Sequence, residues 1–247
     1  VYRIPAALLE KGNVAFFQQS AYGCKEAIVY IGKCKDSLLT KYWHSLCEMF
    51  LEAGAVHAKS APMAVVNMAA TIGGAYVPTI NINGHTYQIP YKTRIARISA
   101  CAQLLHNCSV EYMAQEAWSF IIECFPEMRK AMEIPVEHRL YPQTGWTAMA
   151  VVGGRDSENH KHKDVREGNW PGVLITLGED VIGGITRYWV GNNTLEVTHE
   201  HLRMQACRYG RYLHEGTPWL GARYCVSYFV QSGAMKYFLE VTRQQCN

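Results

Sequence analysis

Several familiar signatures are missing from this chain, and each gap narrows its class. The nine cysteines never fall in C-x-x-C spacing, which excludes the common structural zinc sites, and an odd count leaves at least one thiol outside any disulfide framework. A reducing, intracellular setting is the simpler expectation, nuclear if the source is eukaryotic. No apolar run approaches the roughly 18 residues that span a bilayer, so no membrane association is expected, and no charged start precedes a cleavable apolar segment. There is no G-x-x-x-x-G-K-[ST], no G-x-G-x-x-G, no G-x-S-x-G and no H-E-x-x-H, which argues against phosphate-cradling loops, hydrolase elbows and helical zinc-protease sites. Acid is absent from Ala53 to Val110, although Lys59, Lys92, Arg94 and Arg97 fall there. The first residue is Val1 rather than methionine, as expected of a piece of a longer chain.

What is present suits a globular fold. A hydrophobic content of 49% over 247 residues supports a sizeable core and excludes disorder. A net charge of +3 permits nucleic-acid binding without demanding it. No linker, repeat or low-complexity tract divides the chain, so residues 1–247 read as one catalytic unit, with a mixed part over 1–145 and a β-rich part over 146–247.

In the first part, Asn13–Phe17 and Ala27–Ile31 read as strands, and Asp36–Leu51 as an amphipathic helix capped by Asp36 or Ser37. Residues 79–87 predict a hairpin turning at Asn83-Gly84. Thr93–Leu105 and Val110–Phe125 read as helices, the second stopped by Pro126. In the second part, short β-prone runs alternate with Gly, Asn and Asp turns: Thr147–Val152, the segment around His162, Gly172–Leu177, Gly184–Val190, Leu195–Thr198, Met204–Arg208 and Ala222–Val230. That rhythm indicates an α+β protein with a jelly-roll or double-stranded β-helix core, the earlier helices and hairpin packing against it.

The chemistry concentrates in His162-Lys163-Asp164, in His214, and in Arg223 nine residues further on. Two imidazoles and a carboxylate cover one face of Fe(II) and leave positions open for a co-substrate and dioxygen. H-x-D suits a strand, where residues two apart share a face. An arginine inside the apolar stretch Ala222–Val230 requires an anionic partner, and a dicarboxylate such as 2-oxoglutarate would provide one. Ser227, on the same face, would add a hydroxyl. A cupin-type site is the rival on the same architecture, since Gly154, His160, His162 and Glu167 match the spacing of the first cupin motif. It leaves Arg223 unexplained, and no Pro-x-Gly precedes His214.

These residues resemble the TET/JBP family of Fe(II)/2-oxoglutarate DNA dioxygenases, through Thr147–Val151, His162-x-Asp164, Leu177-Gly178 with Gly183-Gly184, His214 and Arg223-x-x-x-Ser227-x-Phe229. The resemblance covers about the last hundred residues. It implies oxidation of the methyl group of a flipped base in DNA, 5-methylcytosine foremost. His162, Asp164 and His214 would then hold the iron, Arg223 and Ser227 the co-substrate. It also implies that Glu167 helps to hold the base, that Phe229 stacks on it and that Gln231 offers it a hydrogen bond. For the DNA strand the basic residues Lys92, Arg94 and Arg97 are candidates, as are His85 at the hairpin and the cluster Arg203, Arg208-Tyr209-Gly210-Arg211-Tyr212. His199-Glu200-His201 looks like a metal pair but reads better as a surface turn. Two alternatives stay open: a hydroxylase of a small molecule or protein built on the same site, and a catalytically silent or cupin-like binding module.

Overall fold

The computed structural model describes residues 2–3, 14–19, 25–37, 56–57, 64–69, 79–82, 85–88, 100–136, 139–164 and 168–236. Its strands are β1 (Tyr2–Arg3), β2 (Val14–Gln19), β3 (Lys25–Lys33), β4 (Val56–His57), β5 (Ala64–Ala69), β6 (Thr79–Ile82) and β7 (His85–Gln88), then β8 (Ala148–Arg155), β9 (Asn159–His162), β10 (Gly172–Leu177), β11 (Ile182–Gly183) and β12 (Thr186–Val190). They continue with β13 (Asn193–Val197), β14 (Arg203–Cys207), β15 (Leu213–Gly216), β16 (Trp219–Leu220) and β17 (Ala222–Phe229). Helix α1 (Ala100–Cys124) precedes the strand-rich half and α2 (Ser232–Lys236) follows it.

Two sheets face each other. The larger runs β2-β3-β14-β10-β17-β8-β5-β4, and the smaller runs β1-β13-β12-β15-β9. From β8 onward the chain passes back and forth between the two, β8, β10, β14 and β17 in the larger and β9, the β12-β13 hairpin and β15 in the smaller, which is the winding of a double-stranded β-helix. Side-chain alternation divides β17 cleanly. Tyr224, Val226 and Tyr228 join α1 in one buried cluster outside the larger sheet. Arg223, Cys225, Ser227 and Phe229 lie on the opposite face, toward the interior. A second cluster around Tyr188, Val190, Leu195, Val197, Cys207 and Tyr209 fills the space between the sheets.

Trp146 fastens the helix to the sheet. Its side chain is fully buried, its Nε1–H donates to the Ala114 carbonyl at 3.0 Å, and its ring meets Trp118 edge-on at 5.1 Å. Next to it Gly145 admits no side chain, since a Cβ there would stand 2.5 Å from the Trp118 ring.

Helix α1 replaces the two helices expected, at least from Ala100 onward. The intervening Asn107, Cys108 and Ser109 are weak helix formers but include neither Gly nor Pro, so nothing breaks the turn there. Pro126 does end it, opening a 3-10 helix over Pro126–Glu133. Strand β8 also runs further than expected, through Gly153 and Gly154. A Cβ at Gly153 would fall 2.3 Å from the Arg223 carbonyl oxygen, so glycine is what lets β8 stay against β17 there. The hairpin forms as expected, with Ile82 opposite His85. The helix expected over Asp36–Leu51 lies almost wholly outside the described residues. No described helix is long and apolar enough to cross a membrane.

Candidate metal centre

Three donor side chains meet where β9 and β15 run side by side. His214 is the cross-strand partner of His162, and between His162–His214 and Asn159–Gly216 the register shifts, three residues of β9 spanning two of β15. The ligand atoms of His162, Asp164 and His214 all lie within 4.8 Å of one another. Asp164 reaches both rings, Oδ1 standing 3.4 Å from His162 Nε2 and Oδ2 3.6 Å from His214 Nε2.

Each imidazole is oriented from behind. His162 Nδ1 lies 2.6 Å from the His160 carbonyl and His214 Nδ1 3.1 Å from the Tyr212 carbonyl. With Nδ1–H donating in both, each Nε2 carries the lone pair that faces the cluster. Burial pushes the Asp164 carboxyl up, but hydrogen bonds and charge from His162 and His214 outweigh it and hold that group well below the usual carboxylate range. Burial likewise opposes a charge on His162, and the Asp164 carboxylate with the His160 carbonyl raises its pKa nonetheless. His214 is 6% exposed while His162 and Asp164 are each 36% exposed, so the cluster opens on the H-x-D side.

That opening is built by close backbone approaches. Asp164 N–H donates to the Tyr209 carbonyl at 3.2 Å. A Cβ at Gly210 would come within 2.1 Å of the Gly168 carbonyl oxygen and 3.0 Å of the Asp164 carbonyl oxygen. Gly168, at a φ of +60°, in turn abuts Ser232. The H-x-D loop, the turn at 208–211 and the start of α2 therefore form one rim, and β7 lies against α2 beside it.

Arg223 occupies the other end of the interior. It is 3% exposed, its guanidinium lies over the Trp219 ring at 4.8 Å, and its Nε is buried without a hydrogen-bond partner. Among the described residues it has no ion pair. Two glycines make room for it, since Cβ atoms at Gly184 and Gly216 would stand 3.0 Å from Arg223 Cδ and 2.9 Å from Nη1. On the paired strands β12 and β15, Tyr188 faces His214 and Thr186 faces Gly216. Metal ligand and guanidinium thus occupy successive inward positions, a step of about 7 Å along a strand. The donor set suits Fe(II), and a buried guanidinium with an unpartnered nitrogen suits a carboxylate that arrives with a ligand.

The remaining predicted residues separate. Ser227 lies on the interior face with Arg223, opposite Leu174 and Ala150. Phe229 shares that face near the rim, and Gln231 is buried where the chain turns into α2, its N–H donating to Thr147 Oγ1 at 2.9 Å. The predicted basic rim shrinks. Arg203 is buried and tied to Glu200 and Thr198, Tyr209 is core, and Arg208 is bonded to Glu127 and the Asn169 carbonyl. Only Arg211 of that set's arginines is exposed, lying over the Tyr212 ring. The reason is physical: alternation along β14 turns Arg203 inward, and Phe125 with Glu127 gives Arg208 a ring and a carboxylate to lie on. Glu167, Lys92, Arg94 and Arg97 lie outside the described residues, and of His85 only the backbone is described, as the first residue of β7.

One residue was undervalued. His199 is not on a surface turn: its Nε2 lies 2.9 Å from the Gly178 carbonyl, and its Nδ1 is buried and unpartnered. Burial pushes its pKa down to about 4, the Gly178 carbonyl opposing and the charge of Arg223 assisting. His201 accepts the Gly178 N–H at 3.2 Å, so the two histidines of the His-Glu-His segment hold the N–H and the carbonyl of one residue, Gly178. Nothing in its spacing signals that role.

No protein-family model and no curated protein matches this sequence. Solved structures do resemble it. NgTET1 in complex with 5mC DNA aligns with a TM-score of 0.54 at 12% identity, covering 93% of this chain and 84% of that one. A Trichoplax adhaerens prolyl hydroxylase bound to a hypoxia-inducible-factor peptide aligns with a TM-score of 0.50 at 14% identity, covering 84% and 85%. An oxidoreductase of the 2OG-Fe(II) oxygenase family from Burkholderia pseudomallei aligns at 0.45 and 12%, covering 91% and 86%. The chain is a double-stranded β-helix protein with a two-histidine, one-carboxylate cluster at the mouth of its barrel. Its fold is similar to that of NgTET1 and of the prolyl hydroxylase.

Proposed function

We propose that this chain is an Fe(II)- and 2-oxoglutarate-dependent dioxygenase of the TET/JBP kind, oxidising the methyl group of a flipped base in DNA, with 5-methylcytosine as its first substrate. The observation that carries this is the pairing of the His162-Asp164-His214 cluster with a buried Arg223 that lacks an ion pair among the described residues, one inward position away.

His162, Asp164 and His214 would hold the iron, and Arg223 would receive the distal carboxylate of the keto acid through a fork that lysine does not offer. When bound, iron and keto acid supply an oxidant from dioxygen, with decarboxylation of the acid. The protein contributes orientation and dryness. Carbonyls of His160 and Tyr212 fix the two rings, Ser227 adds a hydroxyl beside the acid, and the buried interior around Tyr188 and Cys225 excludes water. At the rim Phe229 would stack on the base and Gln231 and Glu167 would hydrogen-bond to it, while Arg211, Lys92, Arg94, Arg97 and the hairpin at His85 would contact the strand. Arg208 would join them only by leaving Glu127. Flipping the base out of a duplex costs a few kcal/mol, less for an open strand. The likeness to NgTET1, solved with 5mC DNA, supports this substrate. Residues 1–247 would act as one catalytic domain, inside the cell where its DNA lies.

A protein or small-molecule hydroxylase on the same site is the second reading, favoured by the burial of Arg203 and the pairing of Arg208, which thin the basic rim. Nucleoside mass spectrometry on 5-methylcytosine DNA, incubated with protein, Fe(II) and ascorbate, separates the two. Oxidised bases that require 2-oxoglutarate are expected. Absence of product, with 2-oxoglutarate still consumed slowly, would transfer the assignment to the second reading.

A further inference from the structure

The space between metal cluster and Arg223 is bounded by a polar ladder that packing alone does not require. Tyr188, Gln205, Tyr209 and Thr186 are all at most 5% exposed. Tyr188 O–H donates to Gln205 Oε1 at 2.7 Å, Gln205 Nε2 donates to Thr186 Oγ1 at 3.2 Å, and Tyr209 O–H donates to the Gln205 carbonyl at 2.7 Å. The amide is held at both ends, so it cannot rotate without losing both bonds. Aliphatic side chains of similar volume would fill this interior without any polar group to satisfy, so the ladder's distinctive property is the positions it fixes.

Those positions match the two ends of the site. At one end the Tyr209 ring meets His214 edge-on at 5.1 Å, and Tyr188 is the cross-strand partner of His214 with its ring 6.2 Å away. At the other end Thr186 is the partner of Gly216, the residue whose missing side chain makes room for Arg223 Nη1. The ladder therefore runs the same two-residue span as a keto acid that reaches from the metal to the guanidinium.

We infer that the Tyr188–Gln205–Thr186 ladder gauges the length of the acid co-substrate, with Gln205 as the positioning residue that holds its other two members. This rests on the co-substrate reading above. An acid one methylene shorter would leave its distal carboxylate short of Arg223, and one methylene longer would be pressed against the wall between Tyr188 and Thr186. A rigid pocket separates ligands that differ by one methylene by roughly 10- to 200-fold, and a wall free to move does so less.

The test is calorimetric titration of the Zn(II)-loaded protein with oxaloacetate, 2-oxoglutarate and 2-oxoadipate, which needs no turnover. Wild type is expected to prefer 2-oxoglutarate by at least about tenfold. Gln205→Met and Thr186→Val should narrow that preference to within about threefold while zinc affinity, measured in the same runs, stays within about twofold, both far below the one-methylene range. Tyr188→Phe, which keeps the ring, serves if Gln205→Met does not fold. Variants that bind all three acids more weakly but keep the wild-type preference would overturn the inference and leave a merely structural network. A zinc-loaded wild type that binds none of the acids would instead overturn the co-substrate reading on which it rests.

Discussion

His162 and His214 stand opposite each other on neighbouring antiparallel strands, their ring centroids 4.3 Å apart and their planes inclined by 55°. Neither ring needs the other to be held, because each is hydrogen-bonded to the carbonyl two residues before it in the chain. Their partner is Asp164, two residues beyond His162 and just past the end of β9. His162→Ala and Asp164→Ala are expected to abolish turnover and metal uptake while circular dichroism and the melting transition keep the folded signature. Near-normal turnover in both variants would remove the site.

Arg223 is buried without an ion pair among the described residues, and that makes two opposite predictions for one residue. Arg223→Met should leave the acid-free protein as stable as wild type or more so, because an uncompensated buried charge has been removed. The same variant should lose co-substrate affinity by roughly 10- to 100-fold, the worth of a charged hydrogen bond at about 1.5–3 kcal/mol. Thermal melts with and without 2-oxoglutarate check both, and a strongly destabilised acid-free variant would contradict the first.

Gly210→Ala is expected to damage the site from a distance. Its Cβ would meet the Gly168 carbonyl oxygen at 2.1 Å, a backbone atom that moves only by displacing the loop carrying Asp164. Metal affinity should fall by roughly 10- to 100-fold, as when supporting groups around metal ligands are lost, with a smaller effect on the melting temperature. Equilibrium metal titration measures it.

His199 gives a pH dependence of definite sign. Its folded pKa of about 4 lies below the ordinary histidine value of 6.5, so in that window the unfolded chain binds a proton that the folded chain does not. Its contribution to stability is therefore complete above 6.5 and declines as pH falls toward 4. Urea midpoints across this range should fall less steeply in His199→Gln than in wild type.

Much of this was legible from local signals, and what was not depended on distant neighbours. Short β-prone runs between turn residues mark β10 and β12, and alternation about Asn-Gly marks the hairpin, because each is a property of a few adjacent residues. H-x-D announces itself for the same reason, as does an arginine within an apolar strand. Arg208 misled because an arginine beside tyrosines looks the same in sequence whether it faces solvent or lies on Phe125 and Glu127, more than eighty residues away. His199 misled in the opposite direction, since only the fold brings Gly178 and Arg223 to it. The gap expected between Leu105 and Val110 is absent, because weak propensity does not stop a helix that neither Gly nor Pro interrupts.

The register shift ahead of His162 shows which spacing the metal site depends on and which it does not. Three residues of β9 are matched to two of β15 between Asn159 and His162. Deleting one of the two residues between them would make the pairing regular, two against two, and would still leave His162 opposite His214 on the same face. The spacing that tolerates no such change is the one between His162 and Asp164: without Lys163 the carboxylate would follow His162 directly and point to the opposite side of an extended chain. A lineage could therefore shed the irregularity and keep its ion, yet lose the ion by a single deletion a residue or two further on.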